Sequence, residues 1–403
     1  MSILSIMQGD VLAKLKEIPD ESVQCCVTSP PYMGLRNYNL SPSVWPDGWV
    51  GCLGNEPGPN MFVSHLVMVF SEIKRVLRSD GVCFVNIGDS YASSGGSHAG
   101  RKDNQPNTGA KKVYDNAAGD SGQRKPPMGI KSKDLLLVPE RLAIGLQDDG
   151  WYVRSRIAWV KNSCMPESIT DRPTSAWEHI WMITKNEKYF WDKEGVAELT
   201  VAVAKRGPAL HGDLISTNGN SGLSQRPLEM TRNLRNWWII NPKPFKGAHF
   251  ACFPPEIPTR AIKAATSERG CCPHCRKSWE RIIEKGEPNK EHQALCGADS
   301  TGSYGGKATK DYENAKAQDP SATKARILEG MVIKKTIGWK PTCGCPPHEP
   351  TPSIVLDPFS GAGTTLLACK ELGRNGVGIE LNADYVTLSE KRIGGDIWSG
   401  WVW

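Results

Sequence analysis

The sequence predicts an α/β protein built on a doubly wound sheet, and three stretches carry that prediction. The first is the apolar run Cys25-Cys26-Val27-Thr28, which stops abruptly at Ser29-Pro30-Pro31-Tyr32. The second is Ile354-Val355-Leu356-Asp357, followed by the turn Pro358-Phe359-Ser360-Gly361-Ala362-Gly363 and a helix-like segment to Leu372. The third is Gly376-Val377-Gly378-Ile379, which ends in Glu380. Near-continuous apolar runs read as buried strands, and their alternation with helical segments suits a doubly wound α/β sheet. A glycine turn between strand and helix, with an acid closing the next strand, is the pattern of nucleotide-binding sheets.

In chain order, Ile3 to Met7 reads as a strand leading to Gly9-Asp10, and Val11 to Leu15 as a helical turn. An aspartate at this place is a common helix N-cap. The strand at Cys25 then ends, because each proline lacks an N–H and has a fixed φ and neither can continue a central strand. The loop instead offers acceptors that have no ladder partner, with Tyr32 beside them. Such a site suits a planar aromatic amine, whose nitrogen becomes nucleophilic only as charge develops, and a tyrosine can stack on its ring. Leu35 to Pro59, rich in Gly, Pro, Trp and Asn, lacks periodicity and reads as a loop over that site.

Met61 to Leu77 has helical spacing with Arg75, Arg78 and Gly81 marking its end, and Gly81 to Ile87 is the next buried strand. Residues 91–133 turn to Gly, Ser, Asn, Lys and Arg, a flexible insertion whose cations would order on a phosphate backbone. Leu135 to Leu146 resumes as a helix, and Trp151 to Val160 and His179 to Thr184 as strands, separated by Lys161-Asn162-Ser163-Cys164-Met165-Pro166 and Asp171-Arg172-Pro173-Thr174. Val201 to Asn236 is polar and basic, with arginines and asparagines suited to guanine and adenine edges, and is a candidate target-recognition region.

Two features of the glycine turn select its ligand. Leu366 stands where a dinucleotide fingerprint has its third glycine, and Asp357 precedes the glycines, where a carboxylate would repel a pyrophosphate but suit an ammonium group. A nucleoside with a cationic amino-acid tail satisfies both, which points to S-adenosylmethionine. At a strand end, Asp357 is expected to lie outside the core.

Ser29-Pro30-Pro31-Tyr32 and the Asp357 to Gly363 turn together resemble the catalytic and cofactor motifs of the amino-methylating DNA methyltransferases. Their order, catalytic motif first, resembles the beta group, and the likeness runs from Gly9-Asp10 to Tyr385 with insertions. The resemblance implies a Rossmann-like methyltransferase sheet with permuted motifs, acting on double-stranded DNA in the cytoplasm of a bacterium or phage-infected host, as in restriction-modification. It implies that Ser29, Pro30, Pro31 and Tyr32 hold a base flipped from the duplex. It further implies a cofactor site of Asp10, Thr28, Asp357, Phe359, Ser360, Gly361, Gly363, Thr364, Thr365, Glu380 and Leu381, with Asp10 near the adenine and Glu380 on the ribose. Lys246 to Pro254 resembles the segment at the methionine end, which adds His249 and Phe250, and the Lys161 to Thr174 stretch resembles the hairpin beside the target base. Ser29 in place of Asp or Asn goes with cytosine N4 as the target, adenine N6 being the alternative. Methylation of RNA or of a protein amide, and a DNA-binding module that has lost catalysis, are the rival readings.

Cys272-Pro273-His274-Cys275 and Cys343-Gly344-Cys345 supply four thiols in two turns, a donor set for structural zinc, with Cys271 or His274 as alternative donors. Glu284 to Ala325 between them is a hydrophilic excursion. The chain is thus expected to divide into 1–200, the catalytic half, 201–250 for target recognition, 251–350 around zinc, and 351–403 for the cofactor. The other cysteines, of thirteen in all, sit mostly in apolar strands and read as reduced core residues. A net charge of +6 suits a phosphate-contacting surface. No apolar run approaches the ~20 residues of a membrane span. The N-terminus carries no basic stretch before an apolar segment, so a cytosolic protein is expected.

Overall fold

The computed structural model describes residues 2–34, 42–92, 129–164, 166–167, 170–202, 226–242, 253–288 and 332–394. The strands are β1 (Leu4–Gln8), β2 (Val23–Thr28), β3 (Ser43–Val44), β4 (Val50–Gly51), β5 (Leu77–Ile87), β6 (Tyr152–Val160), β7 (Trp177–Thr184), β8 (Glu198–Ala202), β9 (Arg226–Arg232), β10 (Trp237–Ile239), β11 (Glu280–Pro288), β12 (Val332–Lys340), β13 (Ile354–Asp357) and β14 (Asn375–Glu380). The helices are α1 (Val11–Leu15), α2 (Pro59–Val76), α3 (Val138–Asp148), α4 (Glu256–Ala265), α5 (Thr364–Leu372) and α6 (Ala383–Ile393).

Two compact units result. One comprises Met1–Trp191, Asn236–Ser278 and Cys345–Trp403, and the other Asp192–Arg235 and Trp279–Gly344. The first holds an eight-stranded sheet in the order β1-β14-β13-β2-β5-β7-β6-β10. All neighbours run parallel except β7, which is antiparallel to both β5 and β6. The expected α/β sheet is therefore present. Its centre joins the two ends of the sequence, because β13 pairs directly with β2, Val355 opposite Cys25 and Leu356 opposite Cys26.

The chain passes outward from β13 to β14 on one side and from β2 to β5 on the other, so the strand order reverses at the β13/β2 seam. Open α/β sheets bind ligands at such a point, outside the carboxyl ends of the strands. Every residue of β2 and β13 is buried, which is why both read as apolar runs without alternation. Gln24, a polar residue inside β2, is satisfied: its Oε1 accepts from Ile354 N at 2.6 Å, and its Nε2 donates to the Arg276 carbonyl at 3.4 Å. Phe62, Leu66, Phe70 and Ile73 of α2 lie in the core with Leu77, Val85 and Ile87 of β5.

The stretch expected as an irregular loop differs in its described part. Residues 43–51 form the β3/β4 hairpin, with Trp45 N donating to Trp49 O at 2.8 Å. Its cause is tertiary. His65 of α2 is fully buried, stacked on Trp45 at 4.3 Å and on Trp49 at 5.1 Å between ring centroids. Its two ring nitrogens meet Glu56 Oε1 at 2.8 Å and Asp47 Oδ2 at 3.0 Å. A histidine on a helix thus pins the hairpin, which no local pattern announces.

In the second unit β8 pairs with β9 and β11 with β12, both antiparallel. Arg281 donates to both Asp192 oxygens at 2.9 Å and lies over the Trp339 ring at 4.4 Å. Residues 93–128 of the expected flexible insertion, 203–225 of the candidate recognition region and 289–331, which take in most of the hydrophilic excursion, lie outside the described residues. Among the described residues no helix is long and apolar enough to cross a membrane.

Candidate active site

A cavity of about 420 Å³ opens at the β13/β2 seam, and residues from both ends of the sequence line it. On one side are Ser29, Pro30, Pro31 and Tyr32, and on the other Asp357, Phe359, Ser360, Gly361, Thr364, Glu380 and Leu381, with Asp10 beside them. Thr28 and Thr365 stand behind this wall, bonded to Asp357, and Gly363 N donates to Ser360 O at 2.8 Å. His249 and Phe250 lie outside the described residues.

Asp357 is buried at 1 % exposure. Its Oδ1 accepts from Thr28 Oγ1 at 2.7 Å and Phe359 N at 3.1 Å, and its Oδ2 from Thr365 Oγ1 at 2.7 Å. Burial raises its pKa from 3.8 to about 6, against the lowering effect of the Thr365 and Thr28 hydroxyls. The expectation of a residue outside the core is corrected here: this carboxylate ties β13 to β2 and to α5. The glycine turn follows, with φ 51° at Gly361 and 71° at Gly363. A Cβ at Gly363 would lie 1.9 Å from Ser389 Oγ, so only glycine fits there. Glu380 Oε2 accepts from Gly361 N and Oε1 from Asn382 N, both at 2.8 Å. Burial pushes its pKa up, and those N–H groups oppose the shift. Asp10 caps α1 by accepting from Ala13 N at 3.1 Å and also takes Ser43 Oγ at 3.1 Å, so it serves as an N-cap while facing the cavity.

Sequence reasoning missed how the wall beside Tyr32 is assembled. Tyr32 donates its hydroxyl to Glu178 Oε2 at 2.7 Å and lies 3.1 Å from Asn86 Oδ1. Asn86 donates to Glu178 Oε2 at 3.2 Å and to the His179 carbonyl at 3.1 Å, which turns its Oδ1 toward Ser29 Oγ at 3.4 Å. Lys161 pairs with Glu178 Oε1. Asn86 is the one polar residue in the apolar run Val82 to Ile87, whereas Glu178 stands beside His179 at the start of β7 and gives no such signal.

A DNA methylase family profile matches residues 23–272 and 276–391. The chain belongs to the N6/N4 DNA methylase family. This DNA methylase is 34 % identical over 391 residues to the Type II methyltransferase M.XycI of Xanthomonas campestris pv. cyanopsidis, covering 97 % of this chain and 88 % of that protein. It is 32 % identical over 389 residues to M.SmaI of Serratia marcescens, covering 96 % and 90 %. Its fold matches the solved structure of PvuII DNA methyltransferase (cytosine-N4-specific), with a TM-score of 0.50 and 15 % identity, over 97 % of this chain and 86 % of that one.

In the first unit the methylase also gathers Cys272, Cys275 and Cys345, whose sulfurs all lie within 4.8 Å of one another. Thiolates about 2.3 Å from a tetrahedral zinc would be about 3.8 Å apart, so these three donors fit that ion. Cys275 N donates to Cys272 Sγ at 3.5 Å. Cys271 is not in the group and faces Thr351 Oγ1 at 3.8 Å.

The raised pKa of Asp357 gives a signed prediction. Its folded value, about 6, exceeds the unfolded one, so the folded state holds the extra proton between them. Stability contributed by Asp357 should therefore rise as pH falls from 7 through 6 toward 4, by on the order of 3 kcal/mol. Asp357→Asn should flatten that part of the stability profile in urea titrations. An unchanged profile would show that Asp357 does not titrate in this window.

Proposed function

We propose that this DNA methylase transfers a methyl group from S-adenosylmethionine to the exocyclic N4 amine of a cytosine flipped out of double-stranded DNA. The observation that carries the reading is the cavity lined by Ser29, Pro30 and Tyr32 on one side and by Asp357 and Glu380 on the other. When bound, S-adenosylmethionine supplies an electrophilic methyl group on a sulfonium. Asp357 and the glycine turn would hold the amino-acid end and Glu380 the ribose hydroxyls, with Asp10 toward the adenine. Ser29 Oγ and the Pro30 carbonyl would accept from the amine, favouring its pyramidal form as charge develops. Tyr32 would stack on the flipped ring. An uncharged serine at the acceptor position supports cytosine, and the fold shared with the cytosine-N4-specific PvuII enzyme is in keeping with it. The Type II relatives suggest a role in a restriction-modification pair. The four cysteines would bind a structural zinc.

Digesting DNA methylated by the protein to nucleosides and weighing them should yield N4-methyl-2′-deoxycytidine. N6-methyl-2′-deoxyadenosine as the sole product would remove the cytosine assignment and leave the methyltransferase intact. Purified protein should contain about one equivalent of zinc, and changing Cys343 and Cys345 to Ser should release it and leave the neighbouring chain protease-sensitive. Metal-free protein of unaltered thermal stability would exclude the site.

A further inference from the structure

We propose that Lys161 selects cytosine over adenine by donating a hydrogen bond to the O2 carbonyl of the flipped base, with Glu178 positioning it. The inference rests on the cytosine reading above. Both bases present an amine beside a ring nitrogen that accepts. They differ at the next atom along that edge, where cytosine has a carbonyl and adenine a C–H. A donor facing this atom gains a bond from cytosine and faces an unpaired contact with adenine, and missing buried partners discriminate strongly.

Asp10, Glu178, Asp357 and Glu380 are the acids among the described residues lining the cavity, and Lys161 is the one cation. It directly follows β6, is 18 % exposed, and pairs with Glu178, itself 19 % exposed. Its Nζ also lies 4.3 Å from the centroid of the Trp159 ring, whose Nε1 is fixed on the Ile240 carbonyl at 2.7 Å. Glu178 is fully engaged, since its other oxygen holds Tyr32 and Asn86. Among the described residues Glu178 is the only hydrogen-bond acceptor of Lys161 Nζ, so N–H donors remain for a ligand. Ser29 and Lys161 stand at opposite ends of one hydrogen-bonded wall, joined through Asn86 and Glu178. An amine placed at Ser29 leaves the rest of the base edge to run toward Lys161.

The test compares wild type with Lys161→Met on duplexes carrying cytosine or adenine at the mapped target position. Met keeps the packing on Trp159 and removes the donor. The variant should lose on the order of tenfold to a hundredfold in kcat/KM on cytosine, keep its adenine rate, and bind S-adenosylmethionine as before. Equal losses on both bases, or an unchanged ratio, would overturn the role while leaving the cytosine reading intact. A wild type that prefers adenine would remove that reading and this inference with it. If the variant does not fold, wild type can be given a target replaced by 2-aminopyridine C-nucleoside, which keeps the amine and ring nitrogen and lacks the carbonyl. The same loss is expected, and none would overturn the proposal.

Discussion

The structure depends on one buried carboxylate. Asp357 reaches Thr28, 329 residues away, and Thr365, 8 residues on. A carboxylate buried to this degree is costly unless its oxygens are hydrogen-bonded. Those bonds come from β2 and α5, so the seam, the glycine turn and the start of the Pro-Pro-Tyr loop are set by the same group. This is how a chain that places its two motifs at opposite ends makes one crevice of them.

The charge of the crevice is opposite to that of the whole chain. The protein carries a net +6, yet among the described residues four acids and one lysine line the cavity. A pocket of that sign suits a ligand with an ammonium and a sulfonium, while excess positive charge elsewhere suits phosphate. Within the pocket the groups divide by role. Glu380 uses both oxygens to fix Gly361 and Asn382. Glu178 uses its own on Tyr32, Asn86 and Lys161.

The sheet was legible because its central strands are buried on both faces, and the turn because φ values of 51° and 71° at Gly361 and Gly363 favour glycine. Ser29 to Tyr32 and Asp357 stood out for the same kind of reason: proline stops a strand, and an acid before a glycine turn suits few ligands. The burial of Asp357 was not legible, because its partners Thr28 and Thr365 look like ordinary strand and helix residues. Asn86 and Glu178 were hidden in the same way, each a polar position whose meaning depends on a strand far off in sequence. His65 belongs with them, since its contacts with Trp45, Trp49, Asp47 and Glu56 exist only after folding.

The most direct test of the seam is a double-mutant cycle on cofactor affinity. Calorimetry of S-adenosylmethionine binding to wild type, Thr28→Val, Asp357→Asn and the double variant measures whether the two residues act as a unit. Coupling of about 0.5–3 kcal/mol is expected, because each single change disturbs the same carboxylate. Losses that simply add would contradict it, and would mean that Thr28 and Asp357 act independently of each other.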